Sequence, residues 1–150
     1  MRRIILLSLL AFGYIQAEAQ NTILGSWTSI DDQTGEERSL VKIYKNSEGK
    51  IEGRITTVLS SPVSKSETVC QKCDKEDPRY NKPVEGMVII TNMKPAANQK
   101  SATGGRILDP ESGNEYGCIL TLTENGQQLK VRGFLGFKAL GRTQIWRRKN

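Results

Sequence analysis

From Ile23 onward, apolar positions recur with a period of two. Ile51, Gly53, Ile55, Thr57 and Leu59 fall on one face of an extended chain, and Glu52, Arg54 and Thr56 on the other. Tyr116, Cys118, Leu120 and Leu122 line up in the same way, as do Leu129, Val131, Gly133 and Leu135. Successive side chains of a strand point to opposite faces, so such alternation marks strands with one buried side. No amphipathic run of helical length occurs after the amino-terminal segment. The pattern predicts eight strands, near residues 23–30, 38–45, 50–59, 84–92, 105–108, 115–123, 128–135 and 141–148.

The breaks between these runs carry turn chemistry. Asp31-Asp32-Gln33-Thr34-Gly35 and Asn46-Ser47-Glu48-Gly49 separate the first three strands. In Asp109-Pro110-Glu111-Ser112-Gly113 the proline presets φ and the glycine is free to take a positive one. Glu124-Asn125-Gly126 contains Asn-Gly, a strong hairpin signal. An all-β chain joined mostly by hairpins must deal with its two sheet edges, and closing an eight-stranded antiparallel up-and-down barrel removes them. A β-sandwich fits the same periodicities. Two connections exceed hairpin length, Ser60 to Pro83 and Met93 to Gly104, and loops of that size tend to carry function or to be disordered.

The amino terminus changes the picture of where this domain works. MRRIILLSLLAFGYIQAEA begins with two arginines, continues with an apolar run from Ile4 to Ile15, and ends in Ala17-Glu18-Ala19. That order is a secretory signal peptide, and the run falls short of the roughly 20 apolar residues of a membrane-spanning helix. Cleavage after Ala19 leaves residues 20–150 as one β domain in the periplasm or outside the cell. The net charge of +6 comes from lysines and arginines spread along the chain, which suits a solubilising role better than a nucleic-acid partner. The chain has no histidine, which removes Ser-His-Asp and Cys-His catalysis and His-ligated zinc. With no nucleophile–base pair and no clustered carboxylates, the sequence predicts neither an enzyme nor a bound cofactor.

Three cysteines remain. After export, a Cys70–Cys73 disulfide pinning the long loop is the simplest fate of the CxxC pair. A redox-active CxxC belongs beside a βαβ pattern, which is missing here. Zinc would need Cys70, Cys73 and Cys118 plus Asp74 or Asp77. Alternation puts Cys118 with Leu120 and Leu122 inside the barrel, and its pairing with one CxxC member is the alternative to the local bridge. Asp31-Asp32-Gln33-Thr34-Gly35 lacks the ligand pattern of a calcium loop and reads as a solvated hairpin. Arg132 and Arg142 each sit in a strand beside glycine, where a guanidinium can meet a carboxylate or an anionic ligand.

Taken in order, Gly25-Ser26-Trp27, Asp31-Asp32-Gln33-Thr34-Gly35, Cys70 and Cys73, Pro83, Gly86-Met87, Gly104-Gly105-Arg106-Ile107-Leu108-Asp109-Pro110, Gly113, Tyr116, Cys118, Val131-Arg132-Gly133 and Gly141-Arg142-Thr143-Gln144-Ile145-Trp146 resemble the bacterial family of domain of unknown function 2147. The resemblance covers nearly all of the exported chain; it implies an exported β protein and supplies no reaction. Gly25-x-Trp27 also resembles the first strand of lipocalin-like barrels, in which an arginine from the last strand packs across the indole. Arg142 is the matching arginine on this reading, so Gly25, Trp27 and Arg142 would close one barrel end, with Trp146 as the alternative plug. The barrel mouth would then take a small apolar or amphipathic ligand, with Tyr44, Met87, Tyr116, Arg132, Phe134 and Arg142 as candidate contacts. The alternative is an envelope interaction protein whose basic surface and apolar segment Phe134 to Leu140 meet lipid or a protein partner.

Overall fold

The computed structural model describes residues 21–59, 68–137 and 139–150. The expected signal peptide, residues 1–19, and the first part of the long loop, 60–67, lie outside the described residues. The strands are β1 (Gly25–Ile30), β2 (Glu37–Lys45), β3 (Ile51–Val58), β4 (Val88–Pro95), β5 (Ser101–Leu108), β6 (Glu115–Leu122), β7 (Gln128–Phe134) and β8 (Gly141–Arg148). Each pairs antiparallel with the next, and β8 returns to β1, so the sheet is a closed eight-stranded barrel. This excludes the sandwich, in which the first and last strands need not meet.

The turns close as their side chains dictate. Asp31 accepts the backbone N–H groups of Gln33 and Thr34, both at 2.9 Å, and Asn46 accepts those of Glu48 and Lys50, both at 3.0 Å. Six strands fall within a residue or two of their expected bounds. The fourth and fifth do not. β4 starts at Val88 and runs on to Pro95, and β5 starts at Ser101, so the expected loop from Met93 to Gly104 is a hairpin. Asn92 (φ 57°) and Gly104 (φ 77°) look like turn residues but lie inside strands, where the register shifts. Gly105 follows because a Cβ there would sit 2.2 Å from the Thr91 carbonyl oxygen.

One pole of the barrel is sealed. Trp27 is fully buried among Ile43, Ile51, Met93, Leu120 and Leu129, and its Nε1 donates to the Ile23 carbonyl at 2.9 Å. The Arg148 guanidinium lies over the indole, 4.2 Å from the ring centroid. It also donates to the carbonyls of Gly126 (2.7 Å), Thr22 (2.7 Å) and Leu24 (3.2 Å). Gly25 makes room for it: a Cβ there would come within 3.0 Å of Arg148 Nη1, and the backbone φ is +125°. Only glycine takes that geometry freely.

The covering arginine is therefore Arg148, where Arg142 was expected. The two lie on the same face of β8, six residues apart. At about 3.3 Å per residue that separation is roughly 20 Å, the length of the barrel wall. Alternation fixes the face of a strand and leaves its register open; here Trp27 stands directly opposite Arg148. Trp146 is buried two residues nearer the other pole, with its Nε1 donating to Gln144 at 3.0 Å, and does not plug the end.

Removing the plug should be costly. Trp27→Ala is expected to lower stability by about 3–5 kcal/mol, with Arg148→Ala costing less and the double variant less than the sum. Urea titration of the four-member cycle measures this. Arg142→Ala, at the far pole, should add to Trp27→Ala without coupling; a coupled Arg142 or an additive Arg148 contradicts the assignment.

Candidate functional site

The opposite pole opens into a cavity of about 620 Å3. It lies where β1, β3, β5 and β7 end and their partners begin. Ile55, Val84, Ile89, Ile107, Val131 and Trp146 contribute its apolar wall, and Asp31, Arg38, Asp109, Glu111 and Arg142 stand at its mouth. The two deepest polar groups on the wall satisfy each other: Ser29 and Ser39 share a hydrogen bond of 2.8 Å, and the Ser39 N–H donates to Ser29 Oγ at 3.0 Å. An apolar inner wall beneath a polar mouth, with the Ser29–Ser39 pair already satisfied, suits a guest with an apolar body and a polar end.

Three of the six candidate contacts come together here. Tyr116, Phe134 and Arg142 all line the cavity. The other three do not. Tyr44 lies near the sealed pole, where its hydroxyl donates to Glu52 at 2.7 Å. Met87 is buried in the wall packing and faces a shallow outer groove with Arg79 and Pro83. Arg132 donates to Thr143 Oγ1 (3.1 Å) and the Ala139 carbonyl (3.3 Å), away from the lumen. The alternation of β7 could have told this, since Arg132 is out of phase with Leu129, Val131 and Gly133. Phe134 has the phase of Arg132, and its ring lies over Gly117 on the outward face, so it reaches the cavity only at the rim. Trp146 and Ile107 are lining residues that the sequence reading did not propose as contacts; Trp146 shares a face with Arg142 and Gln144, which was the available signal.

Ion pairs tie the mouth. The Arg142 guanidinium donates to both carboxylate oxygens of Asp32. This bond holds the Asp32 carboxyl below its ordinary pKa and raises that of Arg142. Arg38, at the start of β2, donates to Glu111 in the β5–β6 turn at 2.6 Å, spanning strands that are not neighbours. Asp31 is also held below the usual carboxylate range, chiefly by the Thr34 backbone N–H.

The long loop supports one side of the mouth. Cys70 and Cys73 are joined, and both are buried. The disulfide uses both CxxC thiols, so neither the pairing with Cys118 nor the zinc set holds. Cys70 accepts from and donates to the segment that follows it, Asn81 and Lys82, so the loop folds back as a clasp. It seats against the β5–β6 turn, where a Cβ on Gly113 would overlap the Lys72 carbonyl oxygen at 1.9 Å. Arg79 fastens it, bonding Asp77 (2.7 Å) and Glu115 (2.8 Å). Val84, at the end of the loop, is thereby held in the cavity wall.

Between β7 and β8 the chain leaves three large apolar side chains in solvent, Leu135, Phe137 and Leu140, at 62%, 77% and 69% exposure. Leu135 and Leu140 also border the outer cavity.

Comparison with known proteins agrees with this geometry. A family model described as an uncharacterized protein conserved in bacteria (DUF2147) matches residues 25–148. Among curated proteins none matches the chain. Among solved structures, protein HP1028 from Helicobacter pylori, described as belonging to the lipocalin family, is similar with a TM-score of 0.66. The sequences are 17% identical, and the match covers 85% of this chain and 82% of that one. The likeness is one of fold.

Cys118 is fully buried between Gly105 and Gly133, and desolvation pushes its thiol pKa up to about 12. Because the thiolate is the reactive form, the native protein should not react with Ellman's reagent at pH 8. In denaturant without reductant, one thiol per chain should titrate. Rapid labelling of the native protein would contradict this burial.

Proposed function

The chain belongs to the DUF2147 family of bacterial proteins, and from its barrel we propose that it binds a small apolar or amphipathic molecule and catalyses no reaction. The observation that carries this is the asymmetry of the barrel: one pole is filled by Trp27 and Arg148, and the other holds an apolar-walled cavity of about 620 Å3. Pockets of this size enclose small ligands, and eight strands are enough to hold one. The apolar part of the guest would lie among Ile55, Ile89, Ile107 and Trp146, with its polar end at the charged mouth. The protein would act after export; a Cys70–Cys73 disulfide is compatible with an oxidising compartment.

Native mass spectrometry of the protein recovered from its host tests both statements. The expected result is a mature chain beginning at Gln20 with a co-purified small molecule. Ile107→Trp should fill the cavity and strip that molecule, while Tyr44→Phe, outside the cavity, should retain it. A ligand that persists in Ile107→Trp lies elsewhere, and a full-length chain with Met1 contradicts export.

The exposed Leu135, Phe137 and Leu140 favour a second reading, in which this tip contacts a lipid surface or a protein partner. Vesicle co-sedimentation that is lost in Phe137→Ser supports lipid contact; no co-sedimentation of the parent protein removes it.

A further inference from the structure

The sequence left Arg132 and Arg142 open between a carboxylate partner and an anionic head. The structure changes the charge that a guest would meet. Arg132 points away from the lumen, towards Thr143 and the Ala139 carbonyl. Arg142 is already engaged by Asp32, and Arg38 by Glu111. Two further carboxylates, Asp31 and Asp109, line the cavity and make no ion pair among the described residues. Both are instead held by their own turns: Asp31 by the Gln33 and Thr34 N–H groups, Asp109 by the Glu111 N–H (3.1 Å) and the Ser112 hydroxyl (2.6 Å). The described mouth thus carries four carboxylates against two guanidinium groups, on a chain whose net charge is +6.

The cavity also gathers aromatic faces. Tyr116 and Trp146 line it together, from the inward faces of β6 and β8. Phe134 borders the cavity only at its rim, because its ring lies over Gly117 on the outward face of the sheet, where a Cβ would come within 2.6 Å of it. The Tyr116 hydroxyl has no hydrogen-bond partner among the described residues. Aromatic faces attract cations through the ring quadrupole and are a recurrent means of holding alkylated ammonium groups. Negative charge at the opening of a low-dielectric cavity acts in the same direction, concentrating cations and repelling anions.

We propose that the cavity selects amphipathic molecules with a cationic alkylammonium head and discriminates against carboxylate-headed ones of the same chain. This deepens the ligand-binding reading and rests on it. The aliphatic part of the guest lies against Ile55, Ile89 and Ile107, and the ammonium sits beside Tyr116 and Trp146 and the carboxylates of the mouth.

Three probes with one tail separate the terms: octyltrimethylammonium, octanoate and 1-octanol, each below its micelle concentration, titrated by tryptophan fluorescence and calorimetry. The cation is expected to bind at least about tenfold more tightly than octanoate, with octanol between them, and added salt should narrow the gap. Asp31→Asn/Asp109→Asn removes two charges and keeps the one oxygen at each turn that accepts the backbone N–H groups; at position 109 the second oxygen becomes an NH2 that can donate to the Ser112 hydroxyl. In that double variant the preference should shrink severalfold through loss of affinity for the cation, and an unaltered thermal midpoint shows that the fold is intact. Octanoate binding as tightly as the cation, or a preference unmoved in the double variant, overturns the inference. Octanol bound with no preference for the cation overturns it and leaves the ligand-binding reading standing. If none of the three binds, both fail.

Discussion

The Arg148 guanidinium stacked on the Trp27 indole joins the last strand to the first, and the rest of the barrel is arranged around that contact. A cation over an aromatic face is worth about 0.5–2 kcal/mol, less than the burial of the ring itself, but its position gives it leverage. The ladder between β1 and β8 is short, with Trp27 opposite Arg148 and Thr28 opposite Arg147. Beyond it the two strands part along the upper wall, where Ser29, Ile30, Gln144 and Trp146 border the cavity. The Asp32–Arg142 pair then rejoins them at the rim. The seam is fastened at both ends and loose between, and the cavity lies beneath the loose part.

The two fastenings differ in kind. At the sealed pole a charged group is taken out of water, and burial draws the Arg148 pKa down; three backbone carbonyls and a ring face compensate. Such a group is costly to strip of its partners, because an uncompensated buried charge remains. At the mouth the pairs are exposed and screened by salt, so each contributes little to stability. Their effect is on the field that an entering molecule meets. The disulfide clasp belongs to the mouth as well: it turns a long connection into a wall that carries Val84, and so shapes the cavity more than it strengthens the core.

The architecture was legible in the sequence because alternation and turn chemistry agree at nearly every junction. Asp31, Asn46, Asp109 and Asn125 announce their turns, and the apolar faces of β3, β6 and β7 are continuous. The β4–β5 hairpin was hidden because Asn92, Gly104 and Gly105 serve bulges within strands, and bulge residues use the same chemistry as turn residues. The presence of an arginine over Trp27 was also legible, but its identity was not. Arg142 and Arg148 have the same phase on β8, and only the pairing of β8 with β1, a contact between the two ends of the chain, distinguishes them. The candidate contacts failed for the same reason in part: Tyr44 is near the wrong pole, Arg132 is on the wrong face, and Phe134 shares that face and borders the cavity only at the rim, while Tyr116 and Arg142 have both height and face right.

The separation of the poles has a consequence for how such a protein can change. The groups that close the barrel and the groups that line its mouth sit at opposite ends of the same strands, about 20 Å apart. Substitutions at that distance add their effects almost independently. The loops after β1, β3, β5 and β7 can therefore be rewritten, in length or in charge, without drawing on the closure that Trp27 and Arg148 provide. One sealed end makes the other a replaceable part, whose loops can vary while the plug stays the same.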